Sequence, residues 1–124
     1  MNVLVDTSVW VDHFRGRNSA LVALLQLDLV MIHPMVLAEI ACGTLPAPRA
    51  KSLEYLGLLR ISPIVPLLEV VDFIERERMY GLGCGVIDMS LLASTLVTPG
   101  ATLWTLDRRL DALANRFGVA YRPT

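Results

Sequence analysis

Met1-Asn2-Val3-Leu4-Val5-Asp6-Thr7-Ser8-Val9-Trp10 is the stretch on which the fold turns. Met1 to Val5 is a short apolar run suited to a buried strand, and Asp6, Thr7 and Ser8 are polar residues able to cap the helix expected from Val9 to Phe14. Strand, turn and helix follow one another within a few residues.

The same alternation continues along the chain. A second helical stretch is expected over Ser19 to Leu27, a second buried strand over Leu29 to Ile32, and a helix from Pro34, which fits a first turn, to a stop near Gly43. The Leu53, Leu56 spacing predicts a helix between Arg49 and Leu59. Another is expected from Leu67 to Met79, with Leu67, Val71 and Ile74 turned inward and a charged outer face. Gly81 to Gly85 reads as a loop, Val86 to Val97 as an apolar helix, and Pro99-Gly100 as a turn into a strand at Thr102 to Thr105. Asp107 opens one more helix, and Val119 to Tyr121 has the character of a last strand. Strands alternating with helices imply an α/β fold with a mostly parallel central sheet covered on both faces. Sheets of that kind bind ligands beyond the carboxyl ends of their strands, where the chain order reverses.

A chain of 124 residues with 54% apolar content is the size of one packed domain, taken as residues 1–124. No apolar run reaches the roughly 20 residues that would cross a bilayer. Met1-Asn2 carries no basic side chain, and Asp6 falls where a secretory signal would be apolar, so a cytoplasmic location is expected. Cys42 and Cys84 lack metal-ligand spacing and are too few for a disulfide framework, so both read as buried apolar side chains. His13 and His33 read as surface or loop residues. No nucleophile elbow or phosphate-binding glycine loop is present.

The formal net charge is −1, from 11 basic and 12 acidic residues. Sorting the acids by their helical neighbours sets five of the twelve apart. Asp12 with Arg15, Glu54 with Lys51, Asp72 with Arg76, Glu75 with Arg78 and Asp111 with Arg108 stand at pairing distance and read as solvated surface. Asp6, Glu39, Asp88 and Asp107 have no such partner. Glu39 lies among Met35, Val36, Cys42 and Gly43, and Asp88 among Cys84, Gly85, Leu91 and Leu92. A carboxylate buried on an apolar face is costly unless a cation or hydrogen bonds compensate it. Asp6 and Asp107 each follow a strand, where a ligand site or a plain helix cap are equally good readings. Setting the four aside leaves 8 acids against 11 bases, and every base except Lys51 is Arg, the side chain whose fork suits phosphate. A metal centre built from these four would be all-oxygen and would select Mg²⁺ or Mn²⁺ over Zn²⁺.

Val3-Leu4-Val5-Asp6-Thr7-Ser8, Glu39 in the helix after the second strand, Gly85-Val86-Ile87-Asp88 and Thr105-Leu106-Asp107 together resemble a PIN domain. Their order and the chain length are similar to the VapC toxins of bacterial toxin-antitoxin pairs. The resemblance implies a PIN-like α/β/α sandwich with four to five strands, and an endoribonuclease using one or two Mg²⁺ ions, with Mn²⁺ able to substitute. Asp6 and Asp88 are implied as direct ligands, and Glu39 and Asp107 complete the site. Ser8 or Thr7 would orient Asp6 or a water, with Thr105 in support. A homodimer and a VapB-like antitoxin partner are also implied. Trp10 and Phe14 are then either antitoxin contacts or core, Arg15 and Arg17 are candidate RNA contacts, and a fifth acidic role for Asp111 stays open. An RNA-processing nuclease without an antitoxin and a degenerate RNA-binding or interaction module are the alternatives. A phosphatase would want DxD where Asp6-Thr7-Ser8 stands, and a phosphoacceptor domain would want a late Lys that this chain lacks.

Overall fold

The computed structural model describes residues 1–124. Strand β1 (Asn2–Val5) leads into helices α1 (Thr7–Arg15) and α2 (Ser19–Gln26), followed by β2 (Val30–Ile32), α3 (Pro34–Cys42) and α4 (Arg49–Gly57). Then come β3 (Arg60–Ile61), α5 (Leu67–Arg76), α6 (Val86–Leu96), β4 (Ala101–Trp104) and α7 (Arg108–Arg116). The strands form one parallel sheet in the order β3-β2-β1-β4. β1 is central, with Leu4 opposite Met31 on one side and Leu103 on the other. Val3, Leu4 and Val5 are each 0% exposed, which is why this run shows no polar alternation.

The chain steps from β1 through β2 to β3 in one direction and then returns past β1 to β4. Right-handed crossovers therefore put α1 to α4 on one face and α5 and α6 on the other. The packing agrees, since α1 meets α3 and α3 meets α4, while α6 meets α5, α7 and β4. This is a three-layer α/β/α arrangement whose order reverses between β1 and β4. The backbone N–H of Asp6 donates to the Trp104 carbonyl at 2.9 Å, fastening the two strand ends beneath the crevice that such a reversal opens. No helix is long and apolar enough to cross a membrane.

Leu4 tests the placement of the sheet centre. Leu4→Ala is expected to cost about 3 kcal/mol, which for a domain of this size lowers Tm by about 10 °C. A shift below about 2 °C in a thermal scan would contradict its central burial.

Several expectations are corrected. In α5 Val70 and Phe73 are buried and Ile74 packs partly against the core as expected, while Leu67 and Val71 are 56% and 52% exposed. The segment carries apolar residues in two helical registers, and packing against α6 together with the stacking of Phe73 on Phe117 at 5.6 Å buries Val70 and Phe73. The last strand shrinks to one bridge between Leu103 and Ala120, just before Pro123 removes a backbone donor. The fourth strand is instead β3, a two-residue edge too short to leave a periodic signal. None of the five predicted surface ion pairs forms. The ion pairs present are Arg60 to Asp28 at 3.2 Å and Arg122 to Asp111 at 2.8 Å. Asp12 accepts from the Asn18 amide instead, as expected where an exposed pair gains almost nothing over hydration. Cys42 is exposed and Cys84 half-buried, because the α3 terminus and the loop before α6 run along the surface. His33 is 1% exposed, and its Nδ1 accepts from the Met35 N–H, capping α3. Burial lowers its pKa, so it is a neutral structural cap rather than a surface histidine. Trp10 is 3% exposed and belongs to the core, with Phe14 half-buried beside it.

Candidate active site

The ends of β1 and β4 carry a closed set of hydroxyl, amide and carboxylate groups. Asp6 follows β1 and is 6% exposed. Its Oδ2 accepts from Ser8 Oγ at 2.7 Å and from Thr105 Oγ1 at 2.8 Å. Each hydroxyl is itself an acceptor: the Leu106 N–H donates to Ser8 Oγ at 3.0 Å, and the Asp107 N–H donates to Thr105 Oγ1 at 3.0 Å. With an acceptor position of each hydroxyl taken by a backbone amide, the single O–H proton of each is directed to the carboxylate. Asp6 is thereby held in one orientation by β4 and the turn after it. Although it stands at the N-cap of α1, its side chain makes no cap hydrogen bond.

Asp107 is a true cap as well as a member of the cluster. Its Oδ1 accepts from the Arg109 and Leu110 N–H groups at 2.8 and 3.1 Å, which starts α7. Asp88 sits in the first turn of α6, half-buried, with its Oδ2 accepting from the Gly85 N–H at 3.3 Å. Glu39 departs from expectation. It is exposed on α3, and its Oε1 accepts from Thr7 Oγ1 at 2.7 Å. Helical spacing missed this partner because Thr7 lies 32 residues away. Of the two hydroxyls after Asp6, Ser8 serves Asp6 and Thr7 serves Glu39.

Asp88 lies within reach of the charges of the other three acids. The Asp88 carboxyl is held above its ordinary pKa, chiefly by burial; the Gly85 N–H opposes the rise, and the charges of Asp6, Asp107 and Glu39 add to it. The neighbouring Cys84 thiol is pushed up to about 11 by burial and then by Asp88 and Asp107, with Arg109 acting the other way. Each carboxylate is anchored through one oxygen by a different donor, and the second oxygen of each makes no hydrogen bond within the protein. That donor set, oxygen only and partly desolvated, fits a hard dication. No three His, Cys, Asp or Glu side chains are drawn closely enough to ligate a single ion as they stand.

Arg15 and Arg17 are exposed and form no ion pair. Arg15 shares a groove with Thr7 and Glu39, and Arg17 shares another with Thr105 and Leu106, so the two flank the acids. Asp111 is bound to Arg122 rather than joining the cluster. Reading the sequence missed Arg109, whose guanidinium lies against Gly83 in the loop before α6. Its only sequence signal is a pair of arginines directly after Asp107.

Residues 3–116 match the model of the PIN domain family. The chain is also 42% identical over 118 residues to the Ribonuclease VapC32 of Mycobacterium tuberculosis strain CDC 1551 / Oshkosh, covering 95% of this chain and 94% of that protein. The same identity and coverage hold for the Ribonuclease VapC32 of strain ATCC 25618 / H37Rv.

Proposed function

Because the chain belongs to the PIN-domain family, we propose that it is a metal-dependent endoribonuclease acting as the toxin of a VapBC toxin-antitoxin pair in the cytoplasm. The observation that carries this reading is Asp6, buried at the point where the sheet reverses, with two hydroxyl protons directed onto one of its oxygens. Asp6, Glu39, Asp88 and Asp107 would hold one or two divalent cations through their remaining oxygens. Mg²⁺ is the resident ion proposed, with Mn²⁺ able to replace it. A bound dication supplies two things here, a lowered pKa for an attacking water and charge to offset the phosphate oxygens as the bond breaks. The protein's own part is positional. Ser8 and Thr105 orient Asp6, Thr7 holds Glu39, and the first turn of α7 holds Asp107, so each carboxylate meets a cation from a fixed anchor.

The hydroxyl pair provides one test. Ser8→Ala and Thr105→Val are each expected to lower the cleavage rate about ten-fold, the scale of lost second-layer support at a metal site. Rates within two-fold of the parent, measured at saturating metal, would remove their role as positioning residues.

A homodimer is supported by Leu67, Leu68 and Val71, an exposed apolar strip on α5. A VapB-like antitoxin is supported by the apolar groove among Phe14, Leu25, Tyr55 and Leu59, with Trp10 as its wall. Purified protein incubated with single-stranded RNA tests the activity. Cleavage in Mg²⁺ that a chelator stops and Mn²⁺ restores is expected, and intact RNA throughout would overturn the proposal.

A further inference from the structure

Four carboxylates repel the polyanion they are to cut, and the chain as a whole is slightly acidic, at −1. A substrate strand therefore needs cations beside the site, away from the acids' own ligands. Such a surface lies on α7, directly beyond Asp107. A groove of about 410 Å³ is lined by Leu82, Arg108, Arg109, Ala112, Leu113 and Arg116, with three arginines and no acid. All three arginines are exposed and none is in an ion pair. Arg116 is braced by donating to the Glu77 carbonyl at 2.8 Å and by lying over the Phe117 ring at 5.2 Å. Arg109 is braced differently, folded onto the loop at Gly83, where a Cβ would stand 2.7 Å from its Cδ and Nη1. Gly83 has φ +85°, so the loop both demands glycine and, lacking a side chain, leaves room for the guanidinium. The one acid on α7, Asp111, is turned to Arg122 on another flank.

We propose that the arginine groove of α7 holds the phosphates of the RNA strand next to the scissile bond, with Arg108 and Arg109 as the nearest contacts and Arg116 extending the track. This rests on the ribonuclease reading of the acidic site and adds the path of its substrate. Guanidinium forks suit phosphate oxygens, and three along one helix suit successive phosphates of a single strand. The sequence had pointed only to Arg15 and Arg17, which serve grooves on other flanks of the acids.

The test is the double variant R108Q/R109Q, whose side chains are exposed and should leave Tm unchanged. Steady-state cleavage of a short single-stranded RNA is expected to show KM raised about ten-fold with kcat within two-fold. Anisotropy of the same RNA, fluorescein-labelled, on Asp6→Asn with and without the double change reads binding apart from chemistry. The slope of log affinity against log salt is expected to flatten by about 1.4, from two single-strand phosphate contacts at about 0.7 each. Gly83→Ala, which displaces Arg109 without removing its charge, is expected to raise KM in the same direction. Unchanged KM and salt slope in R108Q/R109Q, with the parent cleaving normally, would overturn the groove's role while leaving the ribonuclease reading intact. A parent that neither cleaves nor binds RNA would remove both.

Discussion

Asp6→Asn is expected to lower RNA cleavage about a thousand-fold or more while the protein stays folded. The substitution keeps nearly the same shape, and an amide oxygen can still accept from Ser8 and Thr105, so the fastening of β1 to β4 survives. What it removes is the negative charge and the second carboxylate oxygen, replaced by an NH₂ that cannot ligate a cation. Loss of one preorganised charge-stabilising group at a reacting phosphate is on the scale of two to three orders of magnitude, and loss of a direct metal ligand adds to it. Residual cleavage within ten-fold of the parent, in protein whose thermal transition is unchanged, would show that Asp6 is a structural acid only.

Asp88→Asn is expected to abolish cleavage on the same scale, and in metal-free buffer at neutral pH it should make the protein more stable. Burial first, and then the charges of Asp6, Asp107 and Glu39, hold the Asp88 carboxyl above its ordinary value. A carboxyl whose pKa is raised in the folded state favours folding while protonated and loses that advantage as pH rises through the folded value. The amide behaves like the protonated acid at every pH. The Tm difference between variant and parent is therefore expected to be small near pH 4, about the ordinary carboxylate pKa, and to grow in favour of the variant as pH rises. Thermal scans in chelator across that range measure it, and a difference that stays flat or reverses would contradict the burial of Asp88 and the influence of the neighbouring acids on it. Added Mn²⁺ should raise the Tm of the parent and leave that of the variant where it was.

The parts of this molecule that were legible in sequence are those set by neighbours along the chain. Val3-Leu4-Val5 followed by Asp6-Thr7-Ser8 announced a buried strand and its exit because full burial on both faces leaves no polar residue in the run. Pro34 and Asp107 marked helix starts through local chemistry alone. The four acids drew notice by lacking helical partners, a trait that Asp28, Glu69 and Glu77 share, so it was their place after strands or among apolar neighbours that set them apart. The expected burial held for Asp88, which is half-buried, and failed for Glu39. Glu39, which sits among apolar helical neighbours, is exposed and bonded to Thr7, while Asp6, an equally good cap by position, is the buried acid. Burial of a strand-end residue is decided by the strands beside it, and those come from 99 residues away in the case of Thr105 and Asp6. The same limit hid Arg122 as the partner of Asp111 and Gly83 as the seat of Arg109. The register of α5 failed for another reason: two apolar faces competed, and packing against α6 and the ring of Phe117 buried Val70 and Phe73.

Calorimetric titration of Mn²⁺ into the purified protein and its Asp6→Asn and Asp88→Asn variants tests the acidic centre most directly. Saturable binding by the parent, lost in both variants while their folds persist, is the predicted result. Equal binding by all three proteins, or none by the parent, would contradict the assignment of these carboxylates to a metal site.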